Sequence, residues 1–146
     1  MVIIMIKQIS VFVENKKGRV YELLKAIAEK NVNMKALSLA DTSDFGIVRL
    51  VVDDYDNAEA AIKGEGVVMK IGNVIAVAVY DEPGALVNTF SVLADNDIVL
   101  EYMYAAAEKF EGKSVIILRC DKPELAEEKL KLNGIKVISQ KDMEKL

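Results

Sequence analysis

Apolar and polar positions along this chain change period in a fixed order, and the order occurs twice. A β-type run through Val11 and Val13 ends in the polar stretch Glu14 to Gly18 and gives way to a helical stripe at Val20, Leu23, Leu24, Ile27 and Ala28. About 66 residues later the pattern recurs: Val77 and Val79, a polar stretch from Asp81 to Gly84, then Leu86, Phe90, Leu93 and Ala94 with Thr89 as the polar interruption. Arg19, Glu22, Lys25 and Glu29 fill the wet face of the first helix. Each helix is predicted to be followed by an extended stretch (32–40 and 98–107), a turn region (41–46 and 108–113) and a short apolar strand (47–52 and 115–119). A second helix then begins near Asp56 in the first copy and near Pro123 in the second, where proline suits the first helical turn. Gly66 and Gly134 stop these helices, and 67–69 and 135–138 supply a last strand.

The order β-α-β-β-α-β, twice, predicts an α+β fold of two ferredoxin-like units, 1–70 and 71–146, each an antiparallel sheet with both helices on one face. Residues 70–73 leave almost no linker, so the last strand of the first copy runs nearly straight into the first strand of the second. Units of about 70 residues bury little more than ~60% of their unfolded surface, so packing of the copies on one another or on a second chain is expected, with a homodimer as the assembly. The apolar start, residues 1–6, lacks the basic flank and small-residue cleavage site of a signal peptide and reads as strand.

Composition narrows the chemistry. At 52% hydrophobic and 29% charged the chain is globular, and no apolar run approaches the ~20 residues of a membrane span. A soluble, cytoplasmic protein without membrane partners is expected. The single cysteine, Cys120, excludes an intrachain disulfide and a Cys-cluster metal site. Histidine is absent, which removes the commonest general base and metal ligand, so neither catalysis nor a cofactor is expected. Residues 1–70 carry ten charges of each sign and residues 71–146 carry nine basic and thirteen acidic, with no Lys/Arg cluster interleaved with aromatics. No nucleic-acid partner is expected from such a distribution. The strands 48–52 and 115–120 also lack the stacking aromatics of an RNA-recognition module.

Chemistry is therefore sought at the two strand-to-helix loops, Asn15-Lys16-Lys17-Gly18-Arg19-Val20 and Asp81-Glu82-Pro83-Gly84-Ala85-Leu86. The unpaired amides and positive dipole of a helix N-terminus favour a carboxylate. Asn15 or Asp81 can accept from an ammonium group, so each loop holds partners for both ends of a zwitterion. The competing reading makes these residues turn formers and the glycines mere hinges. Lys16, Lys17 and Arg19 make the first loop cationic, whereas Asp81 and Glu82 make the second anionic, which predicts unequal sites. Ala107 to Ser114 approaches the phosphate-loop pattern, but alanine replaces its first glycine and strand rather than helix follows, so it reads as a turn between strands.

Asp81-Glu82-Pro83-Gly84-Ala85-Leu86 resembles the Asp-x-Pro-Gly-x-Leu opening of ACT domains at all four fixed positions. In the first copy Asn15, Lys17 and Val20 depart from it and Gly18 is retained, so that copy is assigned through the repeat. The resemblance covers the whole chain as two tandem units with no catalytic domain. It implies a non-catalytic regulatory protein that binds an amino acid or related small metabolite at its loops, with a regulated enzyme as a further candidate partner. It also implies that a strand after the first helix completes each site, by position Ser38 in the first copy and Tyr102 or Tyr104 in the second, Tyr104 being preferred. The alternative is a ligand-free dimerisation or protein-interaction module on the same fold.

Overall fold

The computed structural model describes residues 4–41 and 44–146; the sequence readings that fall on residues 1–3 and on Thr42 and Ser43 lie outside these. The chain divides into two compact units, Lys7–Gly72, and Asn73–Leu146 together with the chain start through Ile6.

The first unit contains β1 (Ile6–Glu14), α1 (Arg19–Glu29), β2 (Met34–Asp41), β3 (Phe45–Val52), α2 (Tyr55–Gly64) and the opening of β4 (Val68–Val79). Strand β3 lies between β2 and β1, antiparallel to both, in a register that sets Val48 against Val11 and Leu50 against Leu37. Period-2 alternation then turns Ile9, Val11 and Val13 of β1 and Val48, Leu50 and Val52 of β3 to one face, where they form a core with Leu23 and Ile27 of α1 and Ala58 and Ile62 of α2. Helix α2 starts at Tyr55 because the Asp54 carboxylate accepts from the Asn57 N–H at 3.1 Å, a cap of the kind that contributes about 1 kcal/mol.

The second unit contains the rest of β4, α3 (Ala85–Asp95), β5 (Leu100–Ala105), β6 (Ser114–Cys120), α4 (Pro123–Leu132), β7 (Lys136–Ile138) and α5 (Gln140–Glu144). Its sheet runs β7-β4-β6-β5 with every pairing antiparallel, the ferredoxin-like order. Over Ala76–Ala78 strands β6 and β7 occupy both edges of β4. The strand is unbroken across Gly72 and Asn73, as the short junction in the sequence predicts. Ile75, Val77 and Val79 meet Ile116 and Leu118 under Val92, Leu93, Ala126 and Leu130. Thr89 does not interrupt this buried face: it is 1% exposed, and its hydroxyl donates to the Ala85 carbonyl at 3.4 Å.

The duplication reaches details that the sequence alignment does not display. Both first helices end on a non-glycine residue in the left-handed region, Asn31 at φ 60° and Asp97 at φ 54°. Both β2 and β5 are led in by the same clamp. The Asn33 and Val99 N–H groups donate to the Asp53 and Asp121 carboxylates, each at 2.8 Å. In return the Asp53 and Asp121 N–H groups donate to the Asn33 and Val99 carbonyls, each at 3.1 Å. The turn after β5 is closed by Phe110 and Lys113, with Glu111 at φ 48° and Gly112 at φ 78°, the paired positive values that a tight hairpin requires. It is a turn between strands and not a phosphate loop.

Helix α5 was not legible in the apolar pattern. Ser139 caps it, accepting from the Asp142 N–H at 3.1 Å, and Met143 is wholly buried. A buried carboxylate also ties the chain start to this unit. Glu127 is 0% exposed; its Oε1 accepts from the Ile4 N–H, and its Oε2 lies 3.4 Å from Lys131 Nζ one turn along α4. Glu127→Ala is expected to cost about 1–3 kcal/mol by leaving that amide without its acceptor, while Glu127→Gln, which keeps an acceptor oxygen, costs less. Urea denaturation of the two variants checks the order.

Candidate functional site at the strand-to-helix loops

Each unit turns from a central strand into its first helix through a glycine in the left-handed region: Gly18 at φ 84° before α1 and Gly84 at φ 86° before α3. A side chain at that φ is disfavoured, which explains why glycine holds the place in both copies. Neither helix start carries a side-chain cap. The Arg19 and Ala85 amides turn back to the Lys16 and Glu82 carbonyls, at 3.3 Å each, and the helices proper begin with Glu22 N–H to Gly18 O and Asn88 N–H to Gly84 O. The first-turn amides between them, those of Leu86 and Val87 in the second unit, have no protein acceptor among the described residues. These are the donors that a carboxylate would use.

In the first unit a hollow of about 240 Å³ opens beside the loop, lined by Val13, Glu14, Asn15, Lys16, Val20, Leu39, Asp41 and Gly46. The cationic character anticipated for this loop is largely neutralised locally. Lys16 Nζ lies 2.8 Å from Glu14, and Arg19 Nη1 lies 3.1 Å from Glu22. The hydrogen bond from Lys16, reinforced by its charge, holds the Glu14 carboxyl below the usual range. The Asn15 amide donates to Asp41 Oδ1 at 3.2 Å, bracing the loop against the end of β2. Ser38 is paired in register with Arg49, on the opposite face of β2 from Leu39, and does not line this hollow.

In the second unit two hollows, each of about 220 Å³, flank the loop. One lies toward β6 and is lined by Asp81, Glu82, Gly84, Leu86 and Val87 with Tyr80, Ser114 and Ile116. The other lies toward α4 and β7 and takes in Tyr80, Glu82, Ala85, Asn88, Thr89, Lys113 and Lys136. Asp81, Glu82, Gly84, Ala85 and Leu86 thus meet around α3's first turn, with Pro83 exposed in the loop between them. Asp81 Oδ2 is 3.4 Å from Lys109 Nζ, an exposed ion pair of modest worth. Tyr104 lines neither hollow. It is 9% exposed on β5 opposite Ile117, its ring 6.5 Å from that of Tyr102 at 24°.

Lys113, Asn133 and Lys136, which sequence reasoning did not select, come to the α4-side hollow from the starts of β6 and β7 and the end of α4. Gly134 was legible only as a helix stop. Cys120 takes no part: its thiol is buried on β6, and burial, helped by Asp121 and Glu101, pushes it up to about 11, so it stays protonated at neutral pH. No helix among the described residues is long and apolar enough to cross a membrane.

The sequence profile of the family described as "ACT domain pair" matches residues 4–146. A protein from Bacteroides thetaiotaomicron, known as a crystal structure, is 31% identical to this chain, with a TM-score of 0.89 over 98% of each chain. The regulatory subunit of aspartate kinase from Thermus thermophilus, in its ligand-free form, shares the fold at 15% identity, with a TM-score of 0.61 over 87% of this chain and 91% of that one. Its counterpart from Thermus flavus does so at 13% identity and a TM-score of 0.60, over 90% and 94%. A search of curated proteins gives no match.

Proposed function

This chain belongs to the family of ACT domain pairs, and from that premise we propose that it is a non-catalytic regulatory protein, its two units at 1–70 and 71–146 each binding through the strand-to-helix loop. The ligand is an amino acid or a related small metabolite. The observation that carries this reading is the second loop, where the uncapped α3 residues Leu86 and Val87 line one hollow together with Asp81 and Glu82. Their amides suit the ligand's α-carboxylate and the two acids suit its ammonium group. Such hollows are smaller than the ~300–1,000 Å³ of drug-sized sites, which favours a metabolite.

Asp81, Glu82, Pro83, Gly84, Ala85 and Leu86 form the principal site, and Asn15, Gly18, Arg19 and Val20 form its weaker counterpart. Ser38 and Tyr104 stand away from these hollows, so in this reading they act only where a second subunit brings its sheet face to the loop. The assembly is a homodimer, the regulated partner an enzyme, and the compartment the cytoplasm.

Thermal denaturation with each common amino acid at millimolar concentration tests the reading. A ligand at 100 times its dissociation constant adds about 2.7 kcal/mol, so one amino acid or a small chemical group of them should raise Tm by several degrees. No selective shift would favour the ligand-free interaction module instead. Calorimetry on the hit should give two unequal sites per chain, because Lys16 and Arg19 of the first loop are occupied by Glu14 and Glu22.

A further inference from the structure

The α4-side hollow contains three charged side chains: Glu82 from the loop, Lys113 from the approach to β6, and Lys136 from the start of β7. The β6-side hollow has only acids, Asp81 and Glu82. Among the described residues neither lysine is ion-paired. Lys113 Nζ stands 4.9 Å from the Tyr80 ring centre and Lys136 Nζ 5.9 Å from that of Phe110. Cation–π contacts of this kind, worth about 0.5–1 kcal/mol at exposed sites, hold each ammonium group in place without cancelling its charge. Two positive residues and one negative residue around one hollow call for a ligand with the mirror set, two acids and one ammonium.

We propose that this hollow takes an α-amino acid whose side chain carries a second acid group. The inference rests on the reading of the second loop given above and names its ligand class. Glu82 meets the ammonium group, the Asn88 side-chain amide meets one carboxylate, and Lys113 and Lys136 meet the other. Buried Thr89 lines the wall between. A basic amino acid places its second ammonium against the two lysines and is excluded by repulsion. A plain dicarboxylate lacks the cation that Glu82 requires.

Isothermal titration with L-glutamate, L-aspartate, L-glutamine, L-asparagine, L-lysine and succinate is the test. At least one acidic amino acid should bind tenfold or more tightly than its own amide, with lysine silent. The double variant Lys113→Met, Lys136→Met, its fold checked by circular dichroism, should lower the acid to the affinity of the amide and leave the amide unchanged. Glu82→Gln should weaken the acidic amino acid while strengthening succinate. An amide or neutral amino acid that binds at least as well, in a manner sensitive to Gly84, overturns the acid selectivity and leaves the loop reading intact. Unaltered acid binding in the double lysine variant also overturns it. Silence from every amino acid removes both readings together.

Discussion

Gly84→Val is expected to abolish ligand binding at the second loop while leaving the protein folded. Two separate effects are involved. At φ 86° any side chain is strained, which for a non-glycine residue costs about 1–2 kcal/mol and should lower Tm by several degrees. A Cβ built there meets no protein atom within 4 Å, so the side chain starts in open space at a residue that lines the β6-side hollow. The branch occupies the place where a ligand would approach the backbone, and a loss of at least about 100-fold in affinity, or roughly 2.7 kcal/mol, is expected. Gly18→Val is the control: with φ 84° and equally open surroundings it bears the same strain but leaves the second loop untouched. Titration of both variants with the amino acid found by thermal screening settles the point. Wild-type affinity in Gly84→Val would remove this loop from the site.

The largest loss of stability is expected from Leu118→Ala. Leu118 is fully buried in the middle of β6, paired with Ile75 on one side and Met103 on the other, beneath the helices of its unit. Truncation there removes packing from both flanking strands and leaves a cavity that paired strands cannot readily close. A cost of about 2–5 kcal/mol is expected, a large part of the ~5–15 kcal/mol that keeps a typical domain folded. In urea the midpoint should fall with the slope unchanged. Met103→Ala, one strand away at 39% exposure, should cost about 1 kcal/mol or less. Equal losses in the two variants would show that the core is not centred where Ile75, Leu118 and Leu130 meet.

The fold was legible because period is local. The switch from alternate residues at Val11 and Val13 to the three-and-four spacing of Leu23 and Ile27, and its recurrence at Val77 and Leu93, required only a window of a few turns. What was missed depends on register between distant elements. Lys113 and Lys136 reach one hollow because β6 and β7 flank β4 and start beside the loop, a consequence of pairings such as Ala78 with Val115 and with Lys136. No spacing along the chain encodes that. Ser38 and Tyr104 show the converse: their order in the chain matched the family pattern, but the pleat turns Ser38 away from Leu39 and sets Tyr104 against Tyr102. The start of α2 moved from Asp56 to Tyr55 because Asp54, not a later residue, caps it. Helix α5 had a single signal, Ser139 three residues before Asp142, too short for periodicity to register.

The reciprocal clasps at Asp53 and Asp121 match in geometry to a tenth of an ångström although the loops at the opposite ends of these sheets have diverged from cationic to anionic. Duplication has thus held the frame constant and allowed the loops to drift. Under the proposed function, a chain organised in this way can acquire a new specificity in one half by altering a few loop charges, with the other half still reading its original signal.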